Sequence, residues 1–182
     1  MMIDEKRAIA LLKKYGLTKE KIIHSVNVAN ISKFIAEKLN EKGIKSNANL
    51  VYSGALLHDI GYFKGATEKD RINHSKIGAD ILKKEGLAEY SEIVLRHDIK
   101  GWVFAELAPI TIEQKIVNYA DKREKNGKII SIKEREDIFL QFFTKDNEWL
   151  KKAFKELGKF EKELFDMLGM KSEDLKKFVN IE

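Results

Sequence analysis

The stretch SGALLHDIGYF, residues 53–63, places a carboxylate inside an apolar run. The chain is 35% charged, yet Asp59 is the only formally charged side chain between Ser46 and Phe63. Burying an unpaired carboxylate costs several kcal/mol, so Asp59 needs a positive partner. No Lys or Arg lies within four positions of Asp59, so a neighbouring side chain cannot supply that charge.

Apolar residues recur at helical spacing on both sides of this stretch, and the chain has one proline, so we predict an all-α fold. Two capping-box patterns, Thr111 with Gln114 and Ser131 with Glu134, mark helix starts. KIISI (128–132) could form a short strand, although no pairing partner is evident. The predicted helices are 4–15, 18–43, 47 to the His58–Asp59 pair, 73–85, 88–98, 111–124, 131–143 and one or two from about 146, broken near Gly169.

Length and composition favour one soluble domain over residues 1–182, because 182 residues with 43% hydrophobic content suffice for one core. The chain has no cysteine, which excludes disulfides, thiolate zinc sites and a cysteine nucleophile. No apolar run approaches the roughly 20 residues that span a bilayer, and the first residues mix acids with bases, so we expect a cytoplasmic protein without membrane contact. The net charge of +5 is spread among glutamates, so nucleic-acid binding is not favoured.

The histidines and two of the acids fall on predicted apolar helix faces. A lone histidine there is usually a core residue bonded to a carbonyl, but a set from five helices is explained together by a divalent cation held by imidazoles and carboxylates. His58 and Asp59 are neighbours, so both reach one cation only near a helix end, which Gly61 provides. The candidate ligands are His24, His58, Asp59, His74, His97 and Asp121.

Three segments resemble the HD-domain superfamily of metal-dependent phosphohydrolases: IIHSVNVAN (22–30), LLHDIG (56–61) and IVNYADKRE (116–124). NHSKIGADIL (73–82) and IVLRHDIKG (93–101) resemble the segments that carry two further histidines in members with two metals. The resemblance covers a core of about residues 20–125 and implies a helical bundle, with residues 131–182 as a helical extension. The C-terminal apolar stripe is interpreted as cover for this core, with a homodimer face as the alternative.

The resemblance implies two metal positions that share Asp59. His24, His58, Asp59 and Asp121 would hold one ion, and Asp59, His74 and His97 the other. Iron, manganese, cobalt or nickel suits such ligands, with zinc or magnesium possible. The chain departs from the cyclic-dinucleotide phosphodiesterases, because Tyr62 stands where they carry a lysine and their glycine-tyrosine-proline motif is missing.

The implied activity is hydrolysis of a phosphate ester or anhydride, in a nucleotide or similar small molecule, by a metal-bound hydroxide. Asp59 and Lys122 are the candidate catalytic residues. Tyr62, Phe63 and Trp102 are candidates for stacking on a base. The candidate substrate-binding cations are Lys64, Arg71, Arg96, Lys100 and Arg123.

Two other functions remain open at this level. One is a di-iron oxygenase, because a minority of HD-fold proteins use iron in that way. The other is a non-catalytic helical module for regulation or interaction, in which the histidines and acids only bond within the core.

Overall fold

The computed structural model describes residues 3–63, 66–142 and 147–181. The predicted all-α class is confirmed. The described chain also contains short 3₁₀ turns. A hairpin of two strands, β1 (Glu124–Lys125) and β2 (Lys128–Ile129), each two residues long, follows the seventh helix. The helices within the described ranges are α1 (Glu5–Lys14), α2 (Lys19–Glu41), α3 (Ala48–Leu57), α4 (Glu68–Ile72), α5 (His74–Lys84), α6 (Ser91–Leu95), α7 (Ile112–Arg123), α8 (Ile132–Phe142), α9 (Glu148–Leu168) and α10 (Leu175–Phe178).

The helix starts follow the capping residues of the sequence. The side chains of Asp4, Thr18 and Asn47 each accept a hydrogen bond from the backbone N–H three residues later. Both predicted capping boxes form, at Thr111 before α7 and at Ser131 before α8. Local sequence therefore sets where α1, α2, α3, α7 and α8 begin, whereas α5 and α9 start without a side-chain cap.

Several segments differ from the sequence prediction, and one of them is α4, which no predicted helix covers. The helix predicted over 88–98 is a 3₁₀ turn, Ala88–Tyr90, followed by α6, so His97 lies beyond its end. The strand predicted within 128–132 pairs as Lys128–Ile129 with β1 across a tight turn. Asn126 and Gly127 in that turn both have positive φ, which this residue pair adopts readily in hairpins.

Helices α2 and α3 pack together, and α7 contacts both. Helix α5 packs on α6, which in turn contacts α3 and α7. The predicted apolar stripe of α9 is buried in the same hydrophobic cluster as these helices, and its members are Leu150, Phe154, Leu157, Phe160, Leu164 and Leu168. Within the described ranges, no helix has the length and apolarity to cross a membrane.

Arg135 of α8 ties the C-terminal extension to the end of α7. It is 7% exposed, and its guanidinium donates to the backbone carbonyls of Asp121 (2.7 Å), Lys122 (3.0 Å) and Glu124. These are carbonyls that the helix end cannot satisfy by itself. The extension therefore supports the backbone that carries Asp121.

A glycine allows the turn after α3 to touch α5. A Cβ placed on Gly61 would lie 2.0 Å from the carbonyl oxygen of His74 and 2.9 Å from the backbone nitrogen of Gly78. Any side chain at position 61 would push the two segments apart. The close approach sets the His58–Asp59 pair beside His74.

Candidate metal centre

The six predicted ligands, drawn from across the described chain, come together in one cluster. His24 lies within α2, His58 and Asp59 directly follow α3, His74 begins α5, His97 follows α6, and Asp121 lies in the last turn of α7. His58, Asp59, His74 and His97 are buried, and the His24 and Asp121 side chains are each 17% exposed. Two overlapping groups have ligand atoms close enough to hold a metal ion: His24, His58 and Asp121, and His58, Asp59 and His97.

Asp59 presents a different oxygen to each half of the cluster. Its Oδ2 lies 3.8 Å from His24 Nε2 and 3.5 Å from His58 Nε2. Its Oδ1 lies 3.7 Å from His74 Nε2 and 3.6 Å from His97 Nε2. The Asp59 carboxylate therefore lies between two pairs of imidazoles, with one oxygen toward each pair.

Asp121 completes the first half. Its Oδ1 lies 3.0 Å from His24 Nε2 and 3.5 Å from His58 Nε2. His24, His58 and Asp121 form one of the two groups close enough to hold a metal, and Asp59 Oδ2 lies within 3.8 Å of both imidazole nitrogens. This is the first set that the sequence resemblance implies.

Every histidine of the cluster turns Nε2 inward and engages Nδ1 elsewhere. Nδ1 of His58 donates to the carbonyl of Ala55 (2.7 Å), that of His74 to Arg71 (2.7 Å) and that of His97 to Val94 (2.6 Å), always three residues back. The Nδ1 atom of His24 faces the carboxylate of Glu124 instead. A hydrogen bond at one ring nitrogen leaves the other with a free lone pair, which is how metal-bound histidines are held.

Two features of the imidazole nitrogens are explained better by a bound cation than by a core without metal. Among the described residues, no hydrogen-bond partner serves His58 Nε2, although the His58 side chain is fully buried. His74 Nε2 and His97 Nε2 lie 2.9 Å apart, with both Nδ1 atoms occupied by carbonyls. Two lone pairs at that distance need a proton or a cation between them.

The acids of the cluster are held ionised. Burial alone would raise the pKa of Asp59 and of Asp121, but facing imidazoles and ammonium groups hold both pKa values well below the usual range. Burial likewise opposes charge on His24, yet the carboxylates of Asp121 and Glu124 raise its pKa to about 9. Burial and the neighbouring His97 lower the pKa of His74 to about 4. At neutral pH the two acids are therefore ionised and His24 carries a proton, whereas His74 is neutral.

Residues 22–126 match the profile of the HD domain. The chain belongs to the HD-domain family. The matched range includes all six clustered side chains, so the resemblance seen in the sequence is confirmed.

The chain is also similar to curated relatives. It is 30% identical to a tRNA (cytidine(56)-2'-O)-methyltransferase of Thermoplasma volcanium, over 94% of this chain and 50% of that protein. It is 30% identical to the protein of the same description in Picrophilus torridus, over 96% and 50%. The chain spans about half the length of these relatives.

Among solved structures, the chain is similar to the HD domain of the phosphodiesterase PgpH of L. monocytogenes. It is 23% identical, with a TM-score of 0.49 over 85% of this chain and 98% of that one. The PgpH domain has also been solved in complex with cyclic-di-AMP.

Sequence reasoning missed two charged residues of this HD domain. Lys21 Nζ lies 2.8 Å from Asp59 Oδ2, so a lysine 38 positions away provides the partner that Asp59 lacks locally. Glu124 binds His24 across 100 positions. Lys21 lies one helical turn before His24, and this spacing is the one feature of the sequence that places it on the same face.

The predicted substrate-binding cations are not all near the cluster. Arg71 and Lys100 line the cavity at the HD site. Arg96 is held by Glu92 and the carbonyls of Glu106 and Ala108, outside the cavity lining. Lys64 lies outside the described residues.

Arg123 and Lys122 are both buried, but they point to different places. Arg123 pairs with Glu161 of α9 at 2.8 Å and donates to the Ser172 carbonyl, so its charge serves packing of the extension. Lys122 lines the cavity, and its ammonium contacts Asp121 and the His97 carbonyl (2.9 Å). Lys122 stays a candidate catalytic residue, whereas Arg96 and Arg123 are not part of the proposed substrate site.

The cluster opens into a cavity of about 1010 Å³, part of whose lining is an apolar wall. Tyr62 lies in the lining, whereas Trp102 packs on Phe160 and donates to Asn118. Phe63 is not part of the lining. The apolar wall is formed by Ile23, Ile72, Ile99, Ile138, Phe139, Phe142 and Trp149.

Proposed function

We propose that this HD domain is a metal-dependent phosphohydrolase that cleaves a phosphate ester or anhydride of a nucleotide or similar small molecule. The observation that carries the proposal is the position of Asp59. Its two oxygens face two different pairs of inward-pointing imidazole nitrogens, at 3.5 to 3.8 Å. Such an arrangement is suited to two cations that share one carboxylate.

The residues fit divalent transition metals. His24, His58, Asp59 and Asp121 would hold one ion, and Asp59, His74 and His97 the other. Nitrogen and carboxylate donors without thiolate suit iron, manganese, cobalt or nickel, and zinc is compatible. Two such ions supply an activated water and neutralise the charge on phosphate oxygens.

The protein's own cations would orient the phosphate. Lys21, Arg71 and Lys100 line the cavity, and the Lys21 side chain is 38% exposed while its ammonium lies beside Asp59. An ammonium or guanidinium at this position can donate to phosphate oxygens at the cluster. Lys122, buried beside Asp121, would fix that ligand in the orientation needed for an ion.

The apolar wall supports a nucleotide rather than a bare phosphate or a sugar phosphate. Ile72 and Phe142 in that wall are 55% and 78% exposed, so their apolar surfaces are open to a ligand. Stacking a base on an aromatic side chain contributes about 1–3 kcal/mol. A cavity of about 1010 Å³ also leaves room for a base beside the phosphate.

The curated relatives that are described as methyltransferases are about twice as long as this chain. We assign that activity to the half that this chain does not span. The cluster of imidazoles and carboxylates supports this division, because such ligands suit phosphoryl hydrolysis. Methylation is therefore not part of the function proposed for the HD domain.

The proposal is tested with a substrate panel of nucleoside mono-, di- and triphosphates, dinucleotides, sugar phosphates and short RNA, each with Mn²⁺, Fe²⁺, Co²⁺ or Ni²⁺. We expect release of phosphate or nucleoside from a nucleotide substrate, and loss of that release in Asp59→Ala. Asp80→Ala changes an exposed acid of α5 and serves as the matched control.

Three results would contradict the proposal. Full activity in a folded Asp59→Ala variant would refute the role of the cluster. Oxygen consumption without phosphate release would indicate an oxygenase. Failure to bind any metal, without turnover of any substrate, would indicate a non-catalytic module.

A further inference from the structure

His24 differs from the other three histidines in how its outer nitrogen is held. His58, His74 and His97 lie at or beyond helix ends, where each reaches a carbonyl three residues back. His24 lies inside α2, where the backbone carbonyls are engaged by the helix itself. Its Nδ1 therefore needs an acceptor from another element.

Glu124 provides that acceptor and is itself fixed. The residue is 2% exposed, and its Oε2 contacts His24 Nδ1. Its Oε1 accepts from the backbone N–H of Gly127 at 2.7 Å and from Asn27 Nδ2 at 3.4 Å. Asn27 lies one turn after His24 on α2, so the carboxylate is clamped between that helix and the hairpin.

The hairpin turn explains why the Gly127 N–H can reach the Glu124 carboxylate. Asn126 and Gly127 adopt φ of 51° and 73°, and the chain folds back so that the Gly127 N–H points at the side chain three residues earlier. Arg135 holds the Glu124 carbonyl from the other side. The hairpin thus sets one carboxylate in place by bonds to both its side chain and its backbone.

We propose that Glu124 is a positioning residue for the metal centre: it holds the His24 ring so that Nε2 faces Asp121 and Asp59. This inference rests on the proposed function, because it assigns His24 to the metal. A carboxylate behind a metal-bound imidazole fixes the ring and increases its basicity. Removing such a partner typically weakens metal binding about 10- to 100-fold.

The test is a Co²⁺ titration of the full chain freed of metal, followed by d–d absorption. Glu124→Gln, which keeps size but removes charge, is expected to weaken one Co²⁺ site, the one that includes His24, about tenfold or more and to alter its absorption bands. Glu161→Gln makes the same chemical change at the partner of Arg123, and it should leave affinity and bands as in the wild type. Circular dichroism checks that both variants fold.

A measurement on the wild type keeps the inference testable if Glu124→Gln does not fold. In the Zn²⁺-loaded protein, long-range proton–nitrogen NMR should show that the His24 ring is protonated at Nδ1 and unprotonated at Nε2. The opposite tautomer, or unchanged Co²⁺ affinity and bands in Glu124→Gln, would overturn the role of Glu124. A wild type that binds no Co²⁺ would instead overturn the proposed function.

Discussion

At the residue scale, Lys21 is placed both to pair with Asp59 and to bind a substrate phosphate. Its ammonium lies 2.8 Å from Asp59 Oδ2 and 4.1 Å from the centre of the Tyr62 ring, at the cavity wall. Burial opposes the charge, but the carboxylates of Asp59 and Asp121 together raise the pKa of Lys21, so the group stays charged. A charged side chain at this position is available for a substrate phosphate once cations neutralise the ligand carboxylates.

Replacing Lys21 by Met should therefore weaken substrate use more than metal binding. A hydrogen bond to a charged group contributes about 1.5–3 kcal/mol, so we expect kcat/KM to fall about 10- to 100-fold. Steady-state kinetics with the best substrate of the panel measures this change. Lys19→Met, at an exposed position of the same helix, is the control. Equal kcat/KM in both variants would remove Lys21 from the substrate site.

The sequence predicted the six clustered residues because each one interrupts an apolar helix face. That argument depends only on periodicity within a helix, and it holds for His24 as well as for Asp121. It could not reveal Lys21 or Glu124, since their partners lie 38 and 100 positions away. Pairing over such separations depends on how the helices pack, and periodicity carries no information about packing.

At the scale of elements, the contact between the turn after α3 and α5 decides whether the two halves of the cluster meet. Sequence reasoning interpreted Gly61 as a helix terminator, and α3 does end just before it, at Leu57. The structure adds a second reason for glycine, because the His74 carbonyl occupies the space of a Cβ at position 61. The role of Gly61 in close packing depends on a segment that is remote in sequence.

Gly61→Ala is expected to separate His74 and His97 from Asp59, because the backbone at His74 must move to admit the methyl group. Elemental analysis should then show loss of metal, and the melting temperature should fall. Gly158→Ala in α9 is the matched control, because its Cβ would meet nothing within 4 Å. Alanine is better than glycine inside a helix by about 1 kcal/mol, so that variant should be slightly more stable.

An unchanged metal content and melting temperature in Gly61→Ala would contradict this account of the contact.

The hairpin after α7 gives a related lesson about elements. The Asn126–Gly127 pair is a strong turn signal in sequence. Because a turn at Asn126–Gly127 places residues 124–125 opposite residues 128–129, it predicts the partner strand, β1, that the strand prediction at 128–132 lacked.

At the scale of the whole molecule, we propose that the HD core and the C-terminal extension form one folding unit. Side chains of α9 share a hydrophobic cluster with α2, α3 and α7, and Arg135 of α8 caps the end of α7. The apolar stripe of α9 could be predicted from its spacing. Sequence analysis favoured a role as cover but left a dimer face open, because both need the same pattern.

Leu157→Ala should destabilise the entire chain by about 2–5 kcal/mol, since Leu157 is fully buried. Thermal unfolding should remain one transition, seen together by circular dichroism and calorimetry. Met167→Ala, at a 37% exposed position of the same helix, is the control and should have a small effect. Two separate transitions, with only one shifted by Leu157→Ala, would show that the extension folds independently.

The central claim is that the six side chains hold metal, with Asp59 shared between two ions. The most direct measurement is elemental analysis of the chain purified without chelator, alongside Asp59→Ala. The account predicts about two divalent transition-metal ions per wild-type chain, and their loss in the variant. A wild type that holds no metal and takes none up from excess Mn²⁺, Fe²⁺, Co²⁺, Ni²⁺ or Zn²⁺, or a variant with unchanged metal content, would contradict it.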